Sequence, residues 1–125
     1  MLPAPADGLY TISDPTTVDG AIEATVRLDA AHPVFAGHFP GRPILPGVIA
    51  VRIALAIAQR SLGKGVALRN ARSIKFLAPV DPRATPELRY RLRIERSDDG
   101  MRMNVESTAA EVIVFKMTAG IDVVA

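Results

Sequence analysis

The chain has 125 residues, 49% hydrophobic and 22% charged, a composition and length that fit one globular domain over residues 1–125 and exclude a disordered chain. It contains no cysteine, which excludes a disulfide framework and a thiolate metal centre. Its net charge of +2 hides an asymmetry: no acidic residue lies between Asp29 and Asp81, where Arg42, Arg52, Arg60, Lys64, Arg69, Arg72 and Lys75 all fall. Such a block fits either an anionic partner drawn by its field or a solvated basic face. Phe35, Phe39 and Phe76 are its only aromatic residues and it carries no nucleic-acid-binding motif, so no nucleic acid is expected.

The opening MLPAPADGLY has no basic segment followed by an apolar one, so no signal peptide is expected and a cytoplasmic location is the default. Residues 20–28, GAIEATVRL, alternate strictly, with Ile22, Ala24, Val26 and Leu28 on one side, as in a half-buried strand. Next come His32 and then GHFPGRPILPGVIAV, residues 37–51, in which Pro40, Pro43 and Pro46 recur at every third position. That repeat matches polyproline II, a conformation that costs little to order. His32 and His38 stand six residues apart without a nearby carboxylate, so no metal site is expected.

Pro46 suits the first position of a helix, where its fixed φ fits and its missing N–H is not needed. The helix is predicted to run to Leu62 and stop at Gly63, with Arg60 in its last turn. Its composition of mostly Ala, Val, Ile and Leu predicts burial on nearly every side, and Arg52, Gln59 and Arg60 interrupt it enough to argue against a membrane span. Strands are predicted over residues 66–77, 87–95, from Met101 onward, and over 111–119. ELRYRLRIE (87–95) shows the cleanest alternation, with Leu88, Tyr90, Leu92 and Ile94 inward and Arg89, Arg91 and Arg93 outward. SDDG (97–100) supplies turn chemistry between two of them. One apolar helix followed by four antiparallel strands predicts an α+β domain in which a sheet curls around the helix.

The residues HPVFAGHFPGRPILPGV and the later KFLAPVDPRATPEL (75–88) resemble the signatures of the hot-dog-fold 3-hydroxyacyl-[acyl-carrier-protein] dehydratases of bacterial fatty acid synthesis. The small dehydratases of aryl-polyene pathways are the nearest in character. The resemblance implies a long central helix wrapped by a curved antiparallel sheet, two chains pairing into one continuous sheet, and an acyl tunnel at their interface. The implied substrate is a thioester on the phosphopantetheine of an acidic acyl carrier protein, with no other cofactor.

Dehydration of a 3-hydroxyacyl thioester needs a base at C2, donors for the enolate-like oxygen, and an acid for the departing hydroxyl. By the resemblance, His38 is the catalytic base, and an imidazole titrating near neutrality suits that role. The first helical residues, Gly47 and Val48, offer backbone N–H groups without intrahelical partners, and the resemblance gives the Gly47 amide the thioester carbonyl. Gly47 equally suits close packing of the helix, and Phe35 and Phe39 suit core or tunnel wall.

The family carries a Glu or Asp fourteen residues after the histidine, and here that position is Arg52; a Gln often found four residues further on is Ala56. Arginine stays protonated and cannot take over a carboxylate's proton transfer. Arg52 must reach water along its aliphatic stem, an anionic ligand, or a carboxylate such as Glu23, Glu106, Glu111 or one from another subunit. Three functions therefore stand: an active dehydratase, a catalytically impaired or non-catalytic acyl-binding subunit paired with an active paralogue, and an acyl thioesterase. Homodimer and heterodimer are both open.

Overall fold

The alternation over residues 20–28 forms a strand because its apolar side meets the chain's one long helix. In the computed structural model, which describes residues 8–37, 41–98 and 100–124, two short strands, β1 (Tyr10–Ile12) and β2 (Thr16–Val18), precede that strand, β3 (Ala21–Leu28). A one-turn helix α1 (Val34–Gly37) and the long helix α2 (Gly47–Leu62) follow, then β4 (Gly65–Phe76), β5 (Glu87–Ser97), β6 (Gly100–Ala109) and β7 (Val112–Val124). All pairings are antiparallel, in the order β1-β3-β5-β6-β7-β4, with β2 also on β3. The α+β expectation of a curved sheet around one helix is met.

Helix α2 ends as its sequence predicts but begins one residue later, with Pro46 as its N-cap instead of its first helical residue. Pro46 is extended (φ −61°, ψ 139°), and Gly63 closes the helix in the left-handed region at φ 67° while its N–H bonds the Gln59 carbonyl at 2.9 Å. Ala50 and the unbroken run Ile53–Ala58 are buried, and because six consecutive residues pass round the whole helix, its middle is covered on every side as expected. Exposure is confined to the ends, at Val48 and Arg52 near the start and at Arg60, Ser61 and Leu62 in the last turn. Arg60 fastens the N-terminal segment to the helix end, donating to the Ile12 carbonyl at 2.8 Å and pairing with Asp14 at 3.2 Å. Among the described residues, no helix is long and apolar enough to cross a membrane.

The core is the inner sheet face: Val26, Leu28, Leu88, Tyr90, Leu92, Met103, Val105, Phe115, Met117, Ala119 and Ile121 pack on Ile53 and Ile57. The outer face carries the arginine stripe of β5. Arg91 pairs with Glu23 at 2.9 Å, and Arg93 donates to the Asp19 carbonyl at 3.3 Å, so part of the stripe is held within the sheet. Of the acid-free basic block, Arg60 and Arg69 find carboxylates from outside it, Asp14 and Asp122, each at 3.2 Å. These exposed pairs contribute little stability.

Two departures from regular pairing shape the sheet. Between β6 and β7 the register slips from Ser107↔Phe115 to Thr108↔Ile113, leaving Val114 as an extra residue. This bulge turns two consecutive side chains, Val114 and Phe115, into the interior. The β6–β7 hairpin then closes through Ala110 (φ 49°) and Glu111 (φ 68°), both left-handed as a type I′ turn demands but neither a residue that favours it. Replacing the pair by Asn-Gly is therefore expected to raise stability by about 1 kcal/mol. In a thermal melt this corresponds to an increase of about 4 °C.

The other departure is strand β4, whose register with β7 slips at Arg69 and again at Arg72. Among the described strands it pairs only with β7, so its outer edge carries unpaired backbone groups along its length, and Leu68, Ile74 and Phe76 are exposed on it.

Candidate functional site

The polar–apolar contrast is sharpest at the first turn of α2. Pro46 brings no side-chain cap; its carbonyl accepts from Ile49 at 3.0 Å and Ala50 at 3.2 Å. The amides of Gly47 and Val48, which precede those, make no hydrogen bond to any described residue. Both sit at the positive end of the helix dipole.

Beneath this turn lies a cavity of about 230 Å³, lined by Gly47, Ala50, Phe76, Tyr90, Ser107 and Phe115 among others. Strand register creates its floor. Tyr90 on β5 lies opposite Ser107 on β6, Ser107 opposite Phe115 on β7, and Phe115 opposite Phe76 on β4. The row thus crosses four strands with a serine standing between aromatic side chains, and the missing bulk at Ser107 helps leave the cavity open. Phe76 stacks on Phe115 with ring centroids 5.5 Å apart, and Phe115 lies 6.4 Å from Tyr90.

Phe76 is 59% exposed and covers Gly47, where a Cβ would lie 2.5 Å from its ring. A side chain at 47 would therefore push this exposed ring aside. At the inner end, the Tyr90 hydroxyl donates to the Ala50 carbonyl at 3.0 Å. Burial pushes the Tyr90 phenol far above its usual range, so it remains a donor at any working pH. The neighbouring Ser107 hydroxyl opposes that rise in part, but the contact falls short of hydrogen-bond geometry. Ser107, 1% exposed, holds its Oγ buried without a partner among the described residues.

The residues expected at the site are distributed unevenly. Gly47 lines the cavity. Val48 is 61% exposed and Arg52, one turn later, is exposed on the same side of the helix, away from the sheet. Arg52 makes no ion pair among the described residues; Glu23, one carboxylate considered for it, is engaged by Arg91. Being exposed, Arg52 needs no partner within its own chain. His38 and Phe39 lie outside the described residues. His32 plays a structural part, its Nδ1 accepting the Val34 N–H at 3.0 Å at the start of α1. Phe35 is buried core.

A larger concavity of about 410 Å³ lies on the outer sheet face, lined by Lys75, Arg91, Arg93, Glu106 and Lys116. It is open and charged, and no helix amide faces it. The apolar cavity below Gly47 is the better candidate, since it joins apolar room to unpaired donors. Its wall residues Phe76, Tyr90, Ser107 and Phe115 were not foreseen as site residues; Tyr90 reads in sequence as an ordinary inward position, and Ser107 gives no signal.

A family model described as "ApeI-like: ApeI dehydratase" matches residues 14–116, from just before β2 through the proline loop, the helix and β6 into the start of β7. The chain belongs to the ApeI-like dehydratase family. Among curated proteins, it is 35% identical over 115 residues to a 3-hydroxyacyl-[acyl-carrier-protein] dehydratase FabZ of Herpetosiphon aurantiacus, covering 86% of this chain and 74% of that one. It is 32% identical over 84 residues to a FabZ of Caulobacter sp., covering 67% of this chain but 48% of the relative's length. Among solved structures, the dehydratase heterocomplex ApeI:P from Xenorhabdus doucetiae aligns with a TM-score of 0.68 at 20% identity, over 89% of this chain and 96% of that one. A hypothetical thioesterase with coenzyme A from Streptococcus pneumoniae aligns with a TM-score of 0.63 at 18% identity, over 93% and 86%. These likenesses establish the hot-dog fold for this ApeI-like chain, which dehydratases and thioesterases share.

Proposed function

We propose that this chain dehydrates a 3-hydroxyacyl thioester carried on the phosphopantetheine of an acyl carrier protein, giving the trans-2-enoyl thioester and water. The observation that carries the reading is the pairing of free Gly47 and Val48 amides with an apolar cavity, in a chain of a dehydratase family. In this reading His38 removes the C2 proton while the Gly47 amide stabilises the oxyanion that forms on the thioester carbonyl. The C2–H electron pair becomes the C2=C3 bond, and the C3–O bond breaks. The departing hydroxyl takes a proton and leaves as water. The acyl chain fills the cavity, and Phe39 is assigned to substrate binding with it.

Arg52 cannot deliver the proton that the departing hydroxyl needs. Its exposed position beside Val48 suits a surface that meets a second subunit, and there its charge would face a carboxylate or an anionic part of the substrate. A heterodimer in which a paralogue supplies the acid follows naturally. The solved relative ApeI:P is itself a heterocomplex, which supports this arrangement. Mass spectrometry of a 3-hydroxyacyl carrier protein incubated with the purified protein, alone and with such a paralogue, tests the reading. Loss of one water supports it, whereas release of free acid without dehydration would replace it by the thioesterase.

The pairing surface in this reading is the free edge of β4. Substituting Leu68→Lys together with Ile74→Lys is expected to weaken subunit association at least tenfold, visible by light scattering as a shift toward monomer. An unchanged dimer would move the interface elsewhere.

A further inference from the structure

The serine in the aromatic row has no part in the reaction just described. Every other side chain in that row is aromatic and packed: Tyr90 bonds Ala50, Phe115 touches both neighbours, and Phe76 covers Gly47. Ser107 is buried, small and unpartnered among the described residues, and buried hydroxyls without partners are rare enough to need a cause. An alanine would fill the same space without leaving a buried hydroxyl unsatisfied. The unpartnered hydroxyl therefore points to a ligand, because Ser107 lines a cavity whose other walls are largely apolar.

We infer that Ser107 sets acyl-group specificity: the cavity under the first turn of α2 takes a short acyl segment carrying an oxygen that hydrogen-bonds the Ser107 hydroxyl. The inference rests on the acyl-thioester reading above. Three features of the cavity define the ligand. Its volume of about 230 Å³ holds about seven or eight heavy-atom groups at ~30 Å³ each, so the segment is short. The walls contributed by Ala50, Val80, Leu88 and Val114 are apolar, so most of that segment is hydrocarbon. Tyr90 has committed its proton to Ala50 but keeps lone pairs beside Ser107, so the inner end offers both a donor and acceptors to one hydroxyl. A site built to hydrogen-bond a substrate oxygen discriminates strongly against the analogue lacking it, since the protein's own polar group is then left unpaired.

The test compares two acyl-pantetheine amides of about eight carbons, a length set by the cavity volume at ~30 Å³ per group. One carries a terminal hydroxyl and the other is plain. Binding is read by calorimetry on the assembled protein, and dehydration of the matching 3-hydroxyacyl thioesters is assayed in parallel. Wild type is expected to bind the hydroxylated chain at least tenfold more tightly, and Ser107→Ala to bring the two within about threefold, chiefly by gaining affinity for the plain chain. Ser107→Leu should weaken both by filling the cavity. Equal binding of the two chains by wild type overturns the inference, as does a preference that survives Ser107→Ala; either result would mean that Ser107 holds only a water. Discrimination in binding without dehydration leaves the inference standing and removes the proposed reaction. Dehydration without discrimination does the reverse.

Discussion

Truncation of Tyr90 to alanine is expected to cost about 3–5 kcal/mol of folding stability, lowering the melting temperature by about 10–20 °C. Tyr90 is 1% exposed, belongs to the inner face of β5 between Leu88 and Leu92, and meets Phe115 across the cavity. Its removal would enlarge a space that is already about 230 Å³, and the helix above cannot collapse into it without moving off the sheet. Tyr90→Phe separates the two contributions. It keeps the ring and loses the hydrogen bond to the Ala50 carbonyl, which retains its helical partner, so about 1 kcal/mol is expected. Urea denaturation of the three proteins measures both steps. An alanine variant within about 1 kcal/mol of wild type, inside the range of ordinary surface changes, would show that the helix does not depend on this contact.

The second large effect is catalytic. Replacing His38 by alanine is expected to lower kcat/KM for dehydration by about 10²–10⁴, the usual contribution of a positioned general base. Turnover that survives the change would remove His38 from the mechanism. Arg52→Glu is the complementary substitution. If the position needs an acid, a homo-oligomer of the variant gains dehydration over wild type, again within about 10²–10⁴. If a paralogue already supplies the acid, the variant gains nothing in the heterodimer and loses whatever Arg52 contributes to the contact. Arg52 is exposed in the single chain, so the substitution leaves the fold of the subunit itself intact.

How far the sequence could be read depended on whether a feature is local. Helix α2 was legible because its start and stop are single residues with fixed backbone preferences, Pro46 and Gly63, and β3 and β5 because alternation is a property of one strand. The two short strands Tyr10–Ile12 and Thr16–Val18 were not legible, since three residues are too few to show a period and both exist by pairing with β3. The start of the last strand was read one residue early, at Glu111, because the type I′ turn there contains none of the residues such turns favour. The proline motif marked the helix entrance, and Gly47 does line the cavity. The rest of the cavity lay out of reach. Phe76, Tyr90, Ser107 and Phe115 sit on four strands and become neighbours only through register. The bulge that adds Val114 to the wall leaves no mark in an apolar run.

The placement of β4 also shapes how the molecule is made. Among the described strands its sole sheet neighbour is β7, the last of them, with the whole β5–β6 hairpin between the two in sequence. During vectorial synthesis β4 emerges with both edges bare, next to the freshly formed helix, and waits for β7 before either is covered. Pairings of such long range form slowly, and a waiting apolar strand is open to wrong partners. No described strand covers its other edge after folding, so in the proposed assembly a second subunit arriving early would shield the strand as well. Co-expression with the proper partner should therefore raise the yield of soluble protein.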